Sequence, residues 1–435
     1  MDVSPRNHLC LICLGFLVLF PSFYYLTATQ DILAGTTIHT SSVLVAEAIP
    51  GILTSLFGNW IISRLSLVTS LGIGIVSYVA SILMLVLGNA AYVRLVAVGF
   101  VNFSMCWMNV WCMGLTAHLR DDGRLISGLE TGKNLSGSIS GLIYTALTLW
   151  LCLSPRLAMS TSIASPILIV LTYAALDKTA IKQNIERSGY TKLSASGQGI
   201  DECPELASGQ DKAGQDRLSA INSDDNAGEE GTEESLLTIC WKIFPQFIYC
   251  FWAAISVWLS SHAILTTIVY PTSNIAPRDT FQFYSLAMNI SRCIGGILYS
   301  AYSHMYPDRV RAFRHIWLLS ALCLAHMVFA VFASWYRFLP GLSVTIMFCA
   351  SFGFTEGWLW VFVFMGIKDM FGNVRDAGYG LSIAQSGRQV AYLIAGMLGV
   401  RLEAVLLRHC RDELFLGEYC LSRSNAVRGW EEYYC

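Results

Sequence analysis

Eleven apolar stretches dominate this chain, and each is long enough to cross the ~30 Å hydrocarbon core of a bilayer as a helix. Hydrophobic residues make up 54% of the sequence and charged residues only 13%, which leaves too little polar surface for a water-soluble domain. Backbone in lipid must satisfy its own hydrogen bonds, so these runs predict helices rather than alternating barrel strands. The predicted spans are Leu9–Thr29, Ser42–Ile62, Leu65–Leu87, Val93–Thr116, Ile126–Leu153, Ser160–Leu176, Ile243–Tyr270, Phe281–Tyr302, Ile316–Trp335, Leu342–Ile367 and Tyr379–Leu407.

The distribution of basic residues predicts how the chain is oriented. Lys and Arg next to a span resist translocation and therefore mark the cytosolic side. The connections that follow even-numbered spans are rich in them, whereas the opposite connections hold only Arg156, Arg278 and Arg337. This asymmetry predicts a cytosolic N-terminus and, with an odd number of spans, a lumenal C-terminus. The basic residues on the predicted cytosolic side include Arg64, Arg120, Arg124, Arg309, Arg311, Arg314, Lys368 and Arg375.

One long polar segment, residues 178–240, separates the sixth span from the seventh. It is rich in Ser, Gly, Asp and Glu and nearly free of aromatic residues, which predicts a disordered, acidic cytosolic linker. It divides the chain into an N-terminal six-helix bundle (1–177) and a C-terminal five-helix bundle (241–408), followed by a lumenal tail (409–435). We therefore expect an all-α polytopic membrane protein with about eleven transmembrane helices in a major-facilitator-like 6+5 arrangement around a midplane site.

Ionisable residues inside the spans are the candidate site residues, because a charge at the bilayer centre costs at least ~2.5–3.5 kcal/mol unless it is paired or hydrated. The third and sixth spans carry none, as expected if those spans are peripheral to a central aqueous pathway. The candidates are Glu47, Arg94, Glu130, Lys133, His262, Arg292, Glu356 and Arg388.

Several of these residues also have a purely structural interpretation. Arg94, Glu130 and Lys133 lie within a few turns of a span end, from which a long side chain reaches the membrane interface. Glu130 and Lys133 have the i, i+3 spacing of a mutually neutralising pair. Glu47 can pair with a basic neighbour, and His262 is as compatible with a neutral packing residue as with a proton relay.

Arg292, Glu356 and Arg388 are different, because each is central in its span and far from a headgroup layer. Our hypothesis is that Arg292 and Arg388 face the cavity and attract an anionic group, while Glu356 pairs with one of them between transport events.

Short motifs occur in a characteristic order along the chain. They are Ala28 to Leu33, Val43 to Pro50, Gly114 to Ala117, Thr131 to Gly137, Ser291-Arg292 and Glu356-Gly357. Their order and spacing resemble the battenin family of lysosomal and vacuolar membrane proteins. The resemblance implies a transporter connected with organelle pH, basic amino-acid balance and export of glycerophosphodiesters. Asn109 and Arg388 stand where this family carries acids, so we count Asn109 among the cavity residues as well.

A sorting signal and sorting adaptors are also expected. Tyr190 to Leu193 resembles a tyrosine-based lysosomal sorting motif, with Tyr190 and Leu193 as its defining residues, and the charge asymmetry places it in the cytosol. The other expected partners are the membrane lipids and a small-molecule substrate, for which the central arginines favour an anion. A net charge of −2 gives no indication of nucleic-acid binding.

Two other function classes are compatible with the sequence. An equilibrative nucleoside transporter shares the span count and the long middle loop, but carries an Asp four residues before the Arg of its eighth span, where this chain has Met288. A non-transporting trafficking scaffold is the second alternative, and it would leave the central charges unexplained.

Enzymatic function has no support in the sequence. It contains no Walker loop, Rossmann fingerprint or His-Glu-x-x-His motif, so we expect no enzyme activity, no cofactor and no metal site. Of the fourteen cysteines, Cys410, Cys420 and Cys435 lie in the predicted lumenal tail, where one disulfide can form.

Overall fold

The computed structural model describes residues 5–62, 64–118, 124–178, 236–305, 315–371, 374–423 and 430–431. These residues form long helices and no strand, which confirms the all-α membrane fold. The long helices are α1 (Pro5–Thr27), α2 (Ser42–Ile62), α3 (Leu67–Leu87), α4 (Ala91–His118), α5 (Arg124–Thr145), α6 (Pro155–Ala175), α7 (Leu236–Leu259), α8 (Pro277–Met305), α9 (Ile316–Tyr336), α10 (Leu342–Met370) and α11 (Val374–Asp412).

Eight helices of the described residues are long and apolar enough to cross a membrane; the exceptions among the long helices are α2, α5 and α8. In α2 the apolar part is shorter, Ser42–Gly58. Polar residues interrupt α5, which carries Glu130 and Lys133, and α8, which carries Arg292. That these three helices also span the membrane stays a prediction.

Local signals explain several helix starts. The Ser66 hydroxyl accepts a hydrogen bond from the Thr69 amide and caps α3, and Ser154 caps α6 in the same way. Pro155 follows at the first position of α6, where its missing N–H group costs nothing.

We call the helices before residue 179 and those after residue 235 the two halves of the chain, and the same pairing of helices occurs in each. In the first half α1 packs against α5 and α2 against α4; in the second half α7 packs against α11 and α8 against α10. Across the junction α2 meets α11 and α5 meets α8. The repeated pairing is what two related bundles around a shared axis require, although no repeat is visible in the residues themselves.

Glycines bring the helices of each half together. A Cβ atom at Gly132 on α5 would lie 1.9 Å from the carbonyl oxygen of Ile12 on α1. A Cβ atom at Gly357 on α10 would lie 2.2 Å from the carbonyl oxygen of Arg292 on α8. Without a water-driven force between helices in lipid, such close backbone packing supplies much of their association.

Helices α7 and α11 each extend beyond the boundaries predicted from the sequence. Helix α7 begins at Leu236, before the expected end of the linker at residue 240, and α11 continues to Asp412 rather than ending at residue 408. The extension of α11 is held by His409, whose ring stacks on Trp335 at 3.7 Å. Most of the linker, including Tyr190 and Leu193, lies outside the described residues.

Candidate functional site

A buried ion pair links α8 to α10 at the junction between the halves. The Nη2 atom of Arg292 lies 2.5 Å from Oε2 of Glu356, and Nε donates to the same oxygen at 2.7 Å. Arg292 also donates to Oδ1 of Asn289 at 3.2 Å. The Glu356 side chain is 1% exposed and that of Arg292 is 14% exposed. The sequence predicted that Glu356 pairs with either Arg292 or Arg388, and in this structure its partner is Arg292.

Arg388 on α11 lies beside this pair without joining it. Its Nε atom donates to the hydroxyl of Tyr392, and its guanidinium lies 5.1 Å from the ring centre of Trp360. The Trp360 indole donates to Oε1 of Glu356 at 3.2 Å. Within the described part of the chain, no carboxylate comes within 4 Å of Arg388, although its charge interacts with both Glu356 and Glu47.

Glu47 on α2 approaches Arg388 from the first half. Its side chain is buried, and the Tyr25 hydroxyl faces its carboxylate, although Oε2 makes no hydrogen bond of ordinary geometry. Asn102 on α4 fixes the local backbone, because its amide donates to the Glu47 carbonyl oxygen at 2.6 Å and to Oε1 of Gln389 at 3.4 Å. Gln389 directly follows Arg388, so Asn102 ties the Glu47 turn to the Arg388 turn across the junction.

Two tyrosines that sequence reasoning missed complete the arrangement. Tyr25 on α1 is buried, and its hydroxyl faces Ser22 and the Glu47 carboxylate, although neither contact has ordinary hydrogen-bond geometry. Tyr392 interacts with both arginines and with both acids. No sequence signal distinguishes these tyrosines from packing residues. We call the whole set the central cluster, and its members are Tyr25, Glu47, Arg292, Glu356, Arg388 and Tyr392.

His262 joins the central cluster indirectly. It lies in a π-helical turn after α7, a distortion that often marks functional positions. Its Nδ1 atom is 2.7 Å from the Ser261 hydroxyl, and its Nε2 atom is buried without a partner. Its ring packs 5.4 Å from that of Trp258, which in turn lies 4.6 Å from Tyr392.

The remaining candidates are not brought into the central cluster by any described contact. Lys133 and Glu130 form the expected i, i+3 pair on α5 at 2.6 Å, with side chains 10% and 32% exposed. Asn109 on α4 is half-buried, and its Oδ1 atom has no hydrogen-bond partner. The part of the chain that the structure describes contains no group of three His, Cys, Asp or Glu side chains placed to hold a metal.

A second charged network lies at the end of the bundle where α1 ends and α2 begins. We call this end the distal face. Arg278 on α8 donates to both carboxylate oxygens of Asp31, at 2.5 and 2.8 Å. The Tyr144 hydroxyl on α5 donates to Oδ2 of Asp31 at 2.6 Å, and the Gln282 amide lies 3.5 Å from the same atom. The sequence placed Arg278 in a connection between spans; in the structure it is buried, with Asp31 as its counter-ion.

The distal face has a second link between the halves. Glu403 on α11 accepts hydrogen bonds from the Thr40 amide at 2.8 Å and from the Ser41 amide at 3.4 Å, just before α2 begins. Arg423 of the tail donates to the Ile38 carbonyl at 2.6 Å and to the Thr40 hydroxyl at 2.9 Å. Glu403 was overlooked although an acid inside an apolar run is itself a signal.

The tail covers the distal face. Cys410 and Cys420 form a disulfide, and Cys152 after α5 is also disulfide-bonded. Trp430 lies over the buried guanidinium of Arg94 at 5.3 Å, so Arg94 is covered by protein rather than reaching freely to the interface.

This architecture is that of a multi-pass membrane protein with the fold of major-facilitator transporters. It is similar to the xylose transporter XylE from E. coli in an inward open conformation, with a TM-score of 0.55 and 13% sequence identity. The match covers 95% of this chain and 94% of that one, and it concerns the fold alone.

The chain belongs to the CLN3 protein family, the battenin family of the sequence analysis, whose family model matches residues 14–409. It is 23% identical to Protein BTN1 of Chaetomium globosum over 419 residues, covering 91% of this chain and 86% of that protein. It is also 23% identical to Protein btn-1 of Neurospora crassa over 413 residues, covering 89% of this chain and 86% of that protein.

Proposed function

We propose that this protein is a carrier of the lysosomal or vacuolar membrane that binds a small organic anion at the central cluster. The observation that carries this proposal is the position of Arg292 and Arg388. Both guanidinium groups lie at the junction of the two halves, one shared with Glu356 and the other without a carboxylate within 4 Å in the described residues. Such charges are costly in a membrane and are retained where they bind or move a ligand.

The substrate class follows from the chemistry of the cluster. Guanidinium groups hydrogen-bond phosphate and carboxylate oxygens in a fixed planar fork. Trp258 lies 6.0 Å from Arg292 and Trp360 lies 5.1 Å from Arg388, so aromatic surface flanks both cations. Of the cargoes implied by family membership, these groups favour a glycerophosphodiester over arginine, which would meet like charges.

Alternating access is the mechanism we propose for this cluster. In this fold the two halves rock around a central site so that one face opens while the other closes. Asp31–Arg278 and Glu403–Thr40 hold the halves together at the distal face, which supports assigning the structure to a state closed on that side. Transport then requires these links to break and re-form.

We further propose a cytosolic N-terminus, a lumenal distal face and a role in organelle pH. A disulfide between Cys410 and Cys420 suits an oxidising compartment better than the cytosol. The charge asymmetry of the connections supports the same orientation, and sorting adaptors would then reach Tyr190 from the cytosol.

Metabolite profiling of isolated lysosomes or vacuoles, with and without the protein, tests this function. Accumulation of glycerophosphodiesters in organelles that lack the protein is expected, and re-expression should reverse it. Accumulated nucleosides would instead favour the nucleoside-transporter alternative. An unchanged metabolite profile together with mislocalised membrane proteins would favour the scaffold.

A further inference from the structure

Glu47 differs from the other buried acids described above. Asp31 and Glu356 each form an ion pair shorter than 3 Å, and Glu403 accepts two backbone hydrogen bonds. Glu47 is equally buried, but among the described residues it forms no ion pair within 4 Å, and the hydroxyl beside its carboxylate is that of Tyr25. An ionised carboxylate in such a place is costly unless a cation or a proton neutralises it.

The titratable and charged groups that face Glu47 come from α1 and from the two helices that pack against α2. Tyr25 faces it from α1, Cys106 from α4, and Arg388 and Tyr392 from α11. Arg388 is the only cation in this set. The other acid that interacts with Arg388 is Glu356, which is already held by Arg292. Arg388 is therefore the cation available to balance an ionised Glu47 across the junction of the two halves.

We propose that Glu47 is the proton-binding residue of the carrier and that it competes with the substrate's anionic group for Arg388. The inference rests on the proposed function, because it needs an anion at the central cluster. When an anionic oxygen of the substrate accepts hydrogen bonds from the Arg388 guanidinium, Glu47 loses its counter-charge. A new O–H bond then forms on the Glu47 carboxylate, with the proton supplied by hydronium, which becomes water.

The net charge at Arg388 and Glu47, with the bound anion included, is the same before and after this step. Before binding, Arg388 and the ionised Glu47 sum to zero; after binding, Arg388, the anion and the neutral Glu47 also sum to zero. A singly charged anion therefore enters with one proton and without net charge. Because binding linkage is reciprocal, the anion raises proton affinity and the proton raises anion affinity by the same factor.

Proton uptake by the purified full-length protein tests the inference. Glycerophosphoinositol, a singly charged organic anion, is added in weakly buffered detergent solution while heat of binding and indicator absorbance are recorded. We expect about one proton taken up per bound anion, and an affinity that falls about tenfold per pH unit once Glu47 is ionised in the free protein. Glu47→Gln should bind the anion without proton uptake and with no such pH dependence.

Glu418→Gln is the matched control, because Glu418 is an exposed acid of the tail, and it should behave as wild type. Glu47→Asp guards against misfolding of the Gln variant, since it should keep proton uptake with a shifted pH midpoint. Binding by the wild-type protein without proton uptake would overturn the inference and leave the proposed function standing. Full proton uptake in a folded Glu47→Gln variant would do the same, whereas absence of binding by the wild type defeats both.

Discussion

The Arg278 guanidinium and the Asp31 carboxylate form a buried, two-pronged ion pair between residues 247 positions apart in the chain. The two residues belong to different halves, so the pair joins the halves directly at the distal face. Their side chains are 5% and 2% exposed. Separation of the halves at this face must therefore break a charge pair that is largely shielded from water.

Asp31→Asn should destabilise the protein because it leaves a buried guanidinium without its main counter-ion. Removing one partner of a buried ion pair typically costs ~3–5 kcal/mol. The expected result is a clearly lower thermal unfolding midpoint in detergent. Arg156→Gln breaks an ion pair with Glu431 in which the side chains are 31% and 49% exposed, and should cost about 0–1 kcal/mol. Equal effects of the two substitutions would contradict the account of the distal face.

Asp31→Asn should also open the distal face. Thr148 is buried there, and its hydroxyl lies 3.4 Å from Oε1 of Gln282. A Thr148→Cys reporter should react slowly with a hydrophilic maleimide, and faster when Asp31→Asn is added. Site-specific labelling by mass spectrometry measures the rate. Unchanged protection in the double variant would show that Asp31 does not hold this face closed.

Tyr144→Phe removes one hydrogen bond to the Asp31 carboxylate while preserving the ring. Hydrogen bonds to charged groups contribute ~1.5–3 kcal/mol, so the unfolding midpoint should fall by less than it does for Asp31→Asn. Tyr92→Phe is the control, because Tyr92 is 70% exposed and its substitution should change little. A fall no larger than that of the control would mean that the Tyr144 hydroxyl does not support the network.

Gly357→Ala should force α8 and α10 apart. The added methyl group would lie 2.2 Å from the Arg292 carbonyl oxygen, and overpacking of this kind costs ~1–3 kcal/mol. Gly72→Ala on α3 meets nothing within 4 Å and should be neutral or stabilising by ~0.5–1 kcal/mol, because alanine is the better helix former. Thermal unfolding of both variants measures the contrast, which disappears if the helices do not pack this closely.

His39, which lies on the distal face, should make the stability of the folded protein depend on pH. Burial, followed by the charge of Arg423, lowers the pKa of His39 below its ordinary value. The unfolded chain therefore binds a proton at a pH where folded His39 stays neutral, so stability falls as the pH drops below about 6.5. His39→Gln should lose less stability than wild type between about pH 7.5 and about pH 5. A steeper loss in the variant would contradict this sign.

Sequence reasoning anticipated the helices better than the networks between them. Apolar runs revealed α2, α5 and α8 despite their polar residues, because the local pattern determines helix position in lipid. The pairing of Arg292 with Glu356 was also within reach, since both are central charges that need partners.

The charged network of the distal face could not be predicted from the sequence, for a physical reason. Asp31 and Arg278 lie near run ends, where solvation is the default expectation, and only the packing of the two halves buries them together. The relation of Glu47 to Arg388 likewise depends on how α2 packs against α11, which no local pattern encodes. Glu403 is the exception, because its position inside an apolar run was visible.

The most direct test of the central claim is uptake of a radiolabelled glycerophosphodiester into proteoliposomes that contain the purified protein. Arg292→Gln should lose uptake, because the cluster loses one of its two cations. Arg64→Gln, at an exposed arginine that lies over Trp60, should retain it. Wild-type uptake that survives in a folded Arg292→Gln variant would contradict a carrier whose anion site lies at the central cluster.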